Sequence, residues 1–348
     1  MIDVRKETGS EITFEAKIEF LKRSDSYPDR PLRVEAIETH MSWVFLSARH
    51  AYKLKKPVWY PYLDFRTLEA RRLDCHEEVR INRELAGSVY LGVEPVCADS
   101  SGRIHLGGSG KPVEWLVKMR RLPMKRMLDQ VLQNGTLLPE DLVRVAQLIV
   151  AFYQKRPRLH LSATQYCRRF RAGIEDVLRS LTRAKGASCL DEAADICSAQ
   201  LRFLQREPES LGSRARLGLI RECHGDLRPE HICLEAEPVI IDALEFNRDL
   251  RTLDPADELS FLTLELERLG APPFAGKILF DHYTRTTGDA PDFRLIHFYK
   301  SYRACVRAKL SFGHLIDPQV SDSAKWISRT QEYLRFAGRH IREATASV

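Results

Sequence analysis

The order of the periodic segments constrains the fold of this chain more than any single segment does. Up to about residue 120, short runs with the alternating pattern of β-strands surround one long amphipathic helical segment. Beyond that point the pattern is mainly helical, apart from a compact group of strand-like runs in 220–246. The order predicts an α+β fold, in which a small antiparallel sheet with one long helix precedes a larger, mainly helical part.

The helical and strand patterns change at the Leu122-Pro123 break, which predicts a first part over 1–118, a connector over 119–123 and a second part over 124–348. Strands are predicted at 34–39, 43–47, 51–55, 93–98, 103–106 and 113–119, and within 220–246. Helices are predicted at 11–23, 67–86, 124–133, 140–155, 165–184, 189–206, 255–269, 274–287, 292–312 and 322–345. No internal repeat is evident in either part.

Composition excludes several classes of protein. The 348 residues are 44% hydrophobic and 29% charged, as in globular proteins, and the formal net charge is +6. No uncharged apolar stretch reaches 18 residues, so no membrane span is expected, and residues 1–10 lack the apolar core of a signal peptide. The eight cysteines, Cys189 among them, are scattered without a CxxC pair. We therefore expect a cytoplasmic protein with reduced, mostly buried thiols.

Candidate catalytic residues concentrate in the stretch 222–257. Asp226 lies in a polar turn, and Asp242 follows the second strand of a predicted hairpin formed by 232–234 and 239–241. Such a hairpin would bring the two carboxylates to the same end, which suits a general base beside a metal-bound polyphosphate. Two aspartates that merely cap turns explain the pattern equally well, because Asp favours turns.

The motifs of this stretch resemble those of a known enzyme family. His-Gly-Asp-Leu-x-Pro, followed by an apolar strand and Ile-Asp-x-x-x-Phe, is similar to the catalytic and metal loops of aminoglycoside phosphotransferase-like kinases, which share the protein-kinase-like fold. The resemblance extends over nearly the whole chain, to a bacterial branch of that superfamily, through 37–46, 51–57, 118–123 and 302–309. It implies a two-lobed protein: an N-lobe on the nucleotide-phosphate side (1–118), a hinge (119–123) and a helical C-lobe (124–348) with the catalytic loop at 222–246.

The resemblance also implies roles for individual residues. Asp226 would be the catalytic base, with His224 orienting its loop, and Asp242 would hold a Mg²⁺ ion that bridges the ATP phosphates. Lys53 would contact the α- and β-phosphates. Its acidic partner is predicted to be Glu78, which lies beside an apolar helix face, with Glu77 as the competitor.

The chain departs from the family pattern at the nucleotide site. His231 stands where a second metal-binding Asn is usual, so it binds a metal (Mn²⁺ would suit imidazole better than Mg²⁺), contacts a phosphate, or is structural. Glu245 could replace the missing ligand or be a surface carboxylate. No glycine-rich loop is present, and the turn at Thr39–Ser42 takes its place, with Ser42 near the phosphates. The backbone of Met119 and Arg120 would contact adenine at the hinge.

Several further side chains are predicted from charge and spacing alone. Asp254 and Asp257 are expected to bind loop amides and to cap the next helix. Lys55 and Lys56 are interpreted as a solvated face of the third strand. The segment 271–348 holds 12 Lys and Arg against 7 Asp and Glu, which argues against a polycationic aminoglycoside as substrate.

An anionic substrate group is one reading of the basic residues near the carboxyl end. Lys300, Arg303 and Arg307 share a helix face that, together with Arg228, could receive a phosphate or carboxylate; an ordinary charged helix face is the alternative. No aromatic residues alternate with basic ones, so nucleic acid is not expected as a partner, and neither is a membrane. The oligomeric state is not predicted.

The function that these patterns favour is ATP-dependent transfer of the γ-phosphoryl group to a hydroxyl of a small, non-cationic metabolite, with Mg²⁺ as cofactor. An anionic metabolite is one reading of the basic residues. The alternative is a catalytically inactive, nucleotide-binding regulatory protein (a pseudokinase) on the same fold. The substitution at His231 and the missing glycine loop favour this alternative. The joint presence of Asp226, Asp242 and Lys53 favours the enzyme.

Overall fold

A computed structural model describes residues 12–60, 62–182, 190–315 and 323–346. The expectations for residues 1–11, for Cys189 and for the helix ends at 183–184, 189 and 322 lie outside these ranges. The chain divides into two compact units, Met1–Pro123 with Ile240–Asn247 (unit 1) and Met124–Val239 with Arg248–Val348 (unit 2). Each unit has its own hydrophobic core.

Unit 1 is built around a six-stranded antiparallel sheet. Its helices are α1 (Phe14–Lys22) and α2 (Leu68–Ala86). Its strands are β1 (Glu35–Glu38), β2 (Ser42–Leu46), β3 (His50–Lys55), β4 (Trp59–Tyr60), β5 (Leu63–Asp64), β6 (Tyr90–Ala98), β7 (Ile104–Leu106) and β8 (Lys111–Arg120). The sheet order is β1-β2-β3-β8-β6-β7, while β4 and β5 form a separate hairpin. The small sheet with one long helix is the arrangement that the sequence predicts.

Strand β3 and helix α2 position the charged residues of unit 1. The side chains of β3 alternate, so Tyr52 and Leu54 enter the core on one face of the sheet while Lys53 and Lys55 share the other. Helix α2 begins at the capping residue Thr67, whose side chain accepts a hydrogen bond from the Ala70 N–H. Polar residues then recur every fourth position of α2 and lie on one face: Asp74, Glu78 and Asn82.

Unit 2 is mainly helical. Its helices are α3 (Leu128–Gln133), α4 (Pro139–Lys155), α5 (Ala163–Thr182), α6 (Leu190–Arg206), α7 (Pro208–Arg216), α8 (Arg248–Arg251), α9 (Pro255–Arg268), α10 (Phe274–Thr287), α11 (Phe293–Gly313) and α12 (Ser323–Thr345). The short strands that interrupt them are β9 (Arg221–Glu222), β10 (Ile232–Cys233), β11 (Val239–Ile240) and β12 (Thr252–Leu253). Strand β9 pairs with β12, and β10 with β11. Among the described residues, no helix combines the length and apolar character that crossing a bilayer requires.

The structure differs from the predicted elements in a few places. Strand β8 continues through Arg120, so the predicted connector begins inside a strand that pairs with both β3 and β6. The predicted helix 124–133 is a 3₁₀ turn, Met124–Arg126, followed by α3. The segment Ile240–Asn247, predicted to belong with the helical part, clusters with unit 1 instead. Helix α7 was not predicted, and neither was the β4–β5 hairpin, whose two-residue strands are too short to show a period.

Candidate active site

Three distant segments of unit 1 meet at Lys53. The Nζ atom of Lys53 lies 2.9 Å from Glu78 Oε1, on α2, and 2.6 Å from Asp242 Oδ1. Burial alone would lower the pKa of Lys53, but the negative charges of Asp242, Glu78 and Glu245 outweigh burial and hold this pKa well above its usual value. Lys53 is therefore a fixed positive charge at the centre of the cluster.

The partner of Lys53 is Glu78 rather than Glu77. Glu78 is fully buried on the face of α2 that contacts Lys53, whereas Glu77 pairs with Arg80 one turn further along the same helix, at 2.6 Å. The difference follows from helical periodicity, because adjacent residues on a helix point about 100° apart. The apolar neighbours of Glu78 in the sequence indicated this orientation.

Lys55 corrects the prediction of a solvated face. Its side chain is only 1% exposed, and its Nζ lies 2.7 Å from Glu78 Oε2 and 2.5 Å from Asp74 Oδ2, with Glu245 as a third partner. The two oxygens of Glu78 thus bind two different lysines. Lys55 is buried because α2 supplies carboxylates opposite both inward-facing lysines of β3. Lys56 points to the other side and pairs with the exposed Glu38 at 2.5 Å.

Asp242 is held in an unusual backbone conformation. Its φ is +64°, in the left-handed region that few residues other than glycine adopt, although Asp is enriched there. The Asp242 N–H donates to the Tyr90 hydroxyl at 3.0 Å, and the next N–H, of Ala243, donates to Asn82 Oδ1 at 2.8 Å. These bonds to β6 and α2 fix the segment, and the Asp242 side chain remains 44% exposed.

The donor set of this cluster fits a divalent cation that is bound together with phosphates. Four carboxylates surround two ammonium groups, so the cluster has an excess of negative charge that such an ion would balance. Burial raises the pKa of Glu245. The charges of Lys55 and Lys53 lower this pKa, and the nearby carboxylates of Asp74 and Asp242 raise it further. The described residues contain no group of three metal-binding side chains, but Mg²⁺ needs only one or two carboxylates when phosphates and water complete its shell.

Glu258, on α9 of unit 2, binds the backbone of the predicted catalytic loop. Its carboxylate accepts hydrogen bonds from the N–H groups of Gly225, at 2.6 Å, and His224, at 3.2 Å, and from the Tyr153 hydroxyl at 2.8 Å. His224 is buried, and its Nδ1 accepts from the Asp226 N–H at 3.3 Å. His224 therefore contacts the loop backbone. Glu258 was not predicted from the sequence, because a carboxylate in the first turn of a helix, as here in α9, is common.

Asp226 lies in a positive environment. Its Oδ2 accepts from Arg228 Nε at 3.0 Å. Burial by itself would raise the pKa of Asp226, but the charges of Arg228 and Arg307 contribute to outweighing it, and the pKa is lowered to about 2. The carboxylate is therefore ionised at neutral pH and able to accept a hydrogen bond from a hydroxyl.

Both ring nitrogens of His231 are engaged within the loop. Nδ1 lies 2.8 Å from the Asp226 carbonyl oxygen and must donate to it, so Nε2 is the acceptor and faces Arg228 Nη2 at 3.0 Å. A metal ion at Nε2 would compete with a guanidinium cation. Of the three predicted roles for His231, this geometry favours the structural one, in which the ring links Arg228 to the loop backbone.

The residues predicted near phosphates and adenine lie on strands of unit 1. Ser42 begins β2, and the turn before it is closed by bonds to Thr39, whose N–H and hydroxyl both donate to the Ser42 carbonyl. Met119 and Arg120 end β8, where the Arg120 N–H donates to the Val89 carbonyl at 2.8 Å. The nucleotide contacts of these residues stay predictions.

The predicted basic stripe on α11 is divided among different partners. Lys300 pairs with Glu267, and Arg303 binds both oxygens of Asp257 at 2.7 and 2.6 Å. Asp257 thus holds α11 rather than a loop amide, whereas Asp254 caps α9 as predicted, accepting from the Ala256 N–H at 2.9 Å. Asp254 also binds Arg214 through two hydrogen bonds, of 2.6 and 2.8 Å. Of the stripe, Arg307 alone lacks a close carboxylate among the described residues, the nearest being Glu265 Oε1 at 3.9 Å.

Sequence comparison finds relatives without an assigned function. No protein-family model matches the sequence. Uncharacterized proteins of Mycobacterium tuberculosis and Mycobacterium bovis are each 29% identical to the chain over 332 residues, which is 93% of this chain and 63% of theirs. The chain therefore spans less than two thirds of the length of these curated relatives.

Structural comparison identifies the fold. The structure is similar to a choline/ethanolamine kinase family protein from Mesorhizobium loti, with a TM-score of 0.54 and 14% identity over 94% of this chain and 98% of that one. It is also similar to the choline kinase of Cryptosporidium parvum, with a TM-score of 0.55 and 10% identity over 94% and 96% of the two chains. At such identities the likeness concerns the fold alone. The prediction from the motifs is confirmed at that level: the chain has the protein-kinase-like fold, as found in these choline and ethanolamine kinases.

Proposed function

We propose that the chain is a phosphotransferase that uses ATP and Mg²⁺ to phosphorylate a hydroxyl of a small molecule. The observation that carries the proposal is the convergence on Lys53 of Glu78 and Asp242, at 2.9 and 2.6 Å, from segments far apart in the sequence. Phosphoryl transfer needs little covalent chemistry from the protein, so positioning and charge are what its residues must supply.

Each residue has a defined part in this proposal. Lys53 binds the α- and β-phosphates, and Asp242 contributes a carboxylate to the metal. The bound nucleotide and metal supply the γ-phosphoryl group and the neutralising charge. Asp226, ionised and held by Arg228, orients the acceptor hydroxyl and accepts its proton. Glu258 keeps the loop around Asp226 in place.

The inactive regulatory protein is the second candidate. Its supporting observation is His231, whose ring nitrogens are both engaged, so the usual second metal ligand is absent from this position. Against it stands the joint presence of Asp226, Asp242 and Lys53, which a module that only binds a nucleotide does not require. The names of the structurally similar proteins, choline and ethanolamine kinases, agree with an active enzyme acting on an alcohol.

Calorimetric titration with ATP in the presence of Mg²⁺, and then Mn²⁺, tests the nucleotide site. We expect Asp242→Ala to weaken metal-dependent ATP binding by at least about tenfold, because it removes a charged metal ligand. Asp226→Asn should bind ATP as the wild type does and lose ATP turnover. Asp249→Ala, at a carboxylate that is 82% exposed, serves as the control and should change neither quantity.

The outcomes separate the candidates. Wild-type turnover by Asp226→Asn would contradict its role as base. Metal-dependent ATP binding without any turnover, even by the wild type, would support the regulatory protein. No ATP binding with either metal would contradict both.

A further inference from the structure

Two arginines on the same helix of unit 2 are engaged very differently. Arg303 donates from Nε and Nη2 to the two oxygens of Asp257, at 2.7 and 2.6 Å. Arg307, one turn further along α11, has its nearest carboxylate oxygen, Glu265 Oε1, at 3.9 Å, and lies 3.4 Å from the Tyr333 hydroxyl. Charge-assisted hydrogen bonds are usually 2.7–2.9 Å long. Within the described residues, the Arg307 guanidinium is therefore only weakly engaged, and its side chain is 22% exposed, against 12% for Arg303.

Arg228 also has unused hydrogen-bonding capacity. Its Nε binds Asp226 and its Nη2 binds His231, but its Nη1 lies 4.0 Å from Glu230 Oε2, too far for a hydrogen bond. That oxygen of Glu230 is buried and has no hydrogen-bond partner among the described residues. The other oxygen of Glu230 lies 3.6 Å from Arg268 Nη2. The carboxylate thus lies near two arginines and is bound tightly by neither.

The charges of Arg228 and Arg307 both act on the carboxylate of Asp226. Burial raises the pKa of Asp226, but the charges of Arg228 and Arg307 both lower it. Burial and the charge of Arg228 lower the pKa of Arg307, whereas Tyr333, Asp226 and Glu265 raise it. A guanidinium binds carboxylate and phosphate through paired N–H donors, so the unused donors of Arg228 and Arg307 are suited to an anion.

We propose that the acceptor hydroxyl belongs to a small anion, whose carboxylate or phosphate group binds Arg307 and Arg228 beside Asp226. This inference rests on the proposed function, because only a phosphotransferase has an acceptor. It retains Arg307 from the predicted basic stripe and excludes Lys300 and Arg303, whose charges Glu267 and Asp257 already neutralise.

Direct binding of small alcohols tests the site without requiring turnover. The probes are glycerate, which carries a carboxylate, glycerol 2-phosphate, which carries a phosphate, and two controls, neutral glycerol and cationic choline. We expect the wild type to bind at least one of the two anions saturably and neither control. The tighter of the two anions identifies the charged group that the site prefers.

Substitutions then locate the binding. Arg307→Met should weaken anion binding at least about tenfold, the loss expected for a charge-assisted pair of hydrogen bonds. Arg307→Lys keeps the positive charge but lacks the planar guanidinium, so its anion affinity should lie between those of the wild type and Arg307→Met. Lys309→Met is the matched control, because Lys309 lies on the same helix and pairs with Asp176 at 2.8 Å, and it should bind the anions as the wild type does. Circular dichroism of each variant checks the fold.

Several results would overturn the proposal: no binding of either anion, equal binding of glycerol or choline, or anion binding that Arg307→Met leaves unchanged. Anion binding that depends on Arg307, in a protein that never turns over ATP, would keep the site and contradict the proposed function instead. The two claims therefore fail separately.

Discussion

At the scale of single residues, Lys55 is the side chain on which the charge cluster of unit 1 depends most. It is buried against Asp74, Glu78 and Glu245, and removing it would leave the four carboxylates of the cluster with one lysine, Lys53, to balance them. Removing one partner of a buried ion pair commonly costs about 3–5 kcal/mol of the free energy of unfolding. We predict a loss of that size for Lys55→Met in urea denaturation.

Lys56 provides the control for this prediction. It follows Lys55 in the sequence but pairs with a half-exposed carboxylate, Glu38, so Lys56→Met should change the free energy of unfolding by less than about 1 kcal/mol. Removing Glu245 as well, in Lys55→Met/Glu245→Leu, should restore part of the stability, because one uncompensated charge disappears. Equal losses for the two lysine variants would show that the buried cluster does not stabilise unit 1.

The same residues show how far sequence reasoning extends. Glu78 could be predicted as the partner of Lys53, since helical periodicity places it beside apolar positions. The burial of Lys55 could not, because strand alternation says only that Lys53 and Lys55 share a face. Whether that face meets water or carboxylates depends on α2, which begins 13 residues after β3 ends. The pattern of one strand contains no information about what packs on it.

At the scale of elements, helix α9 supports the loop of Asp226 through one carboxylate. Glu258 accepts from the N–H groups of Gly225 and His224, and a glutamine amide offers one acceptor oxygen and a donor that would face those N–H groups. We predict that Glu258→Gln speeds amide exchange of Gly225 by about tenfold or more, as expected for the loss of a hydrogen bond to a charged group. Turnover should fall while ATP affinity is retained.

A second glutamate on α9 provides the comparison. Glu267 pairs with Lys300 and Arg339 and has no described contact with the loop, so Glu267→Gln should leave the exchange of Gly225 unchanged. If both variants speed exchange equally, α9 acts through its overall stability and not through the Glu258 hydrogen bonds.

The predicted boundaries of helices and strands agree closely with the observed ones where the periodic pattern is long, and poorly where it is short. Helix α2 was expected at 67–86 and is found at Leu68–Ala86, because a capping Thr and a long apolar stripe define it. The hairpin of Trp59–Tyr60 with Leu63–Asp64 was missed, since two residues show no period. Glu258 was missed for a related reason: a carboxylate in the first turn of a helix is ordinary, and only the fold shows that Gly225 lies next to it.

At the scale of the whole molecule, the chain returns from unit 2 to unit 1 over residues 240–247. Residues 240–247 follow a strand of unit 2, yet they pack with unit 1 through Asp242 and Tyr90, and through Ala243 and Asn82. The sequence predicted a single boundary near Pro123 and had no signal for this return of the chain. Such a return depends on hydrogen bonds between residues more than 150 positions apart.

Acid should destabilise unit 2 through Asp226. Burial raises its pKa, but the charges of Arg228 and Arg307 contribute to outweighing burial, and the pKa is lowered from 3.8 to about 2. A carboxyl whose pKa is lower in the folded protein contributes stability above its unfolded pKa and loses that contribution as the pH falls through the folded value. The shift corresponds to roughly 2 kcal/mol, present above about pH 4 and lost between about pH 4 and pH 2.

Urea denaturation of the wild type and Asp226→Asn across this pH range measures the contribution. The free energies of unfolding should differ by roughly 2 kcal/mol at pH 6 and converge as the pH approaches about 2, because the variant has no carboxyl to protonate. Asp249→Asn, at an exposed carboxylate of the same unit, should follow the wild type within about 0.5 kcal/mol throughout. A difference that stayed constant with pH would mean that neutral hydrogen bonds, and not the surrounding arginine charges, hold Asp226 in place. The positive field proposed to receive an anionic acceptor would then lose its support.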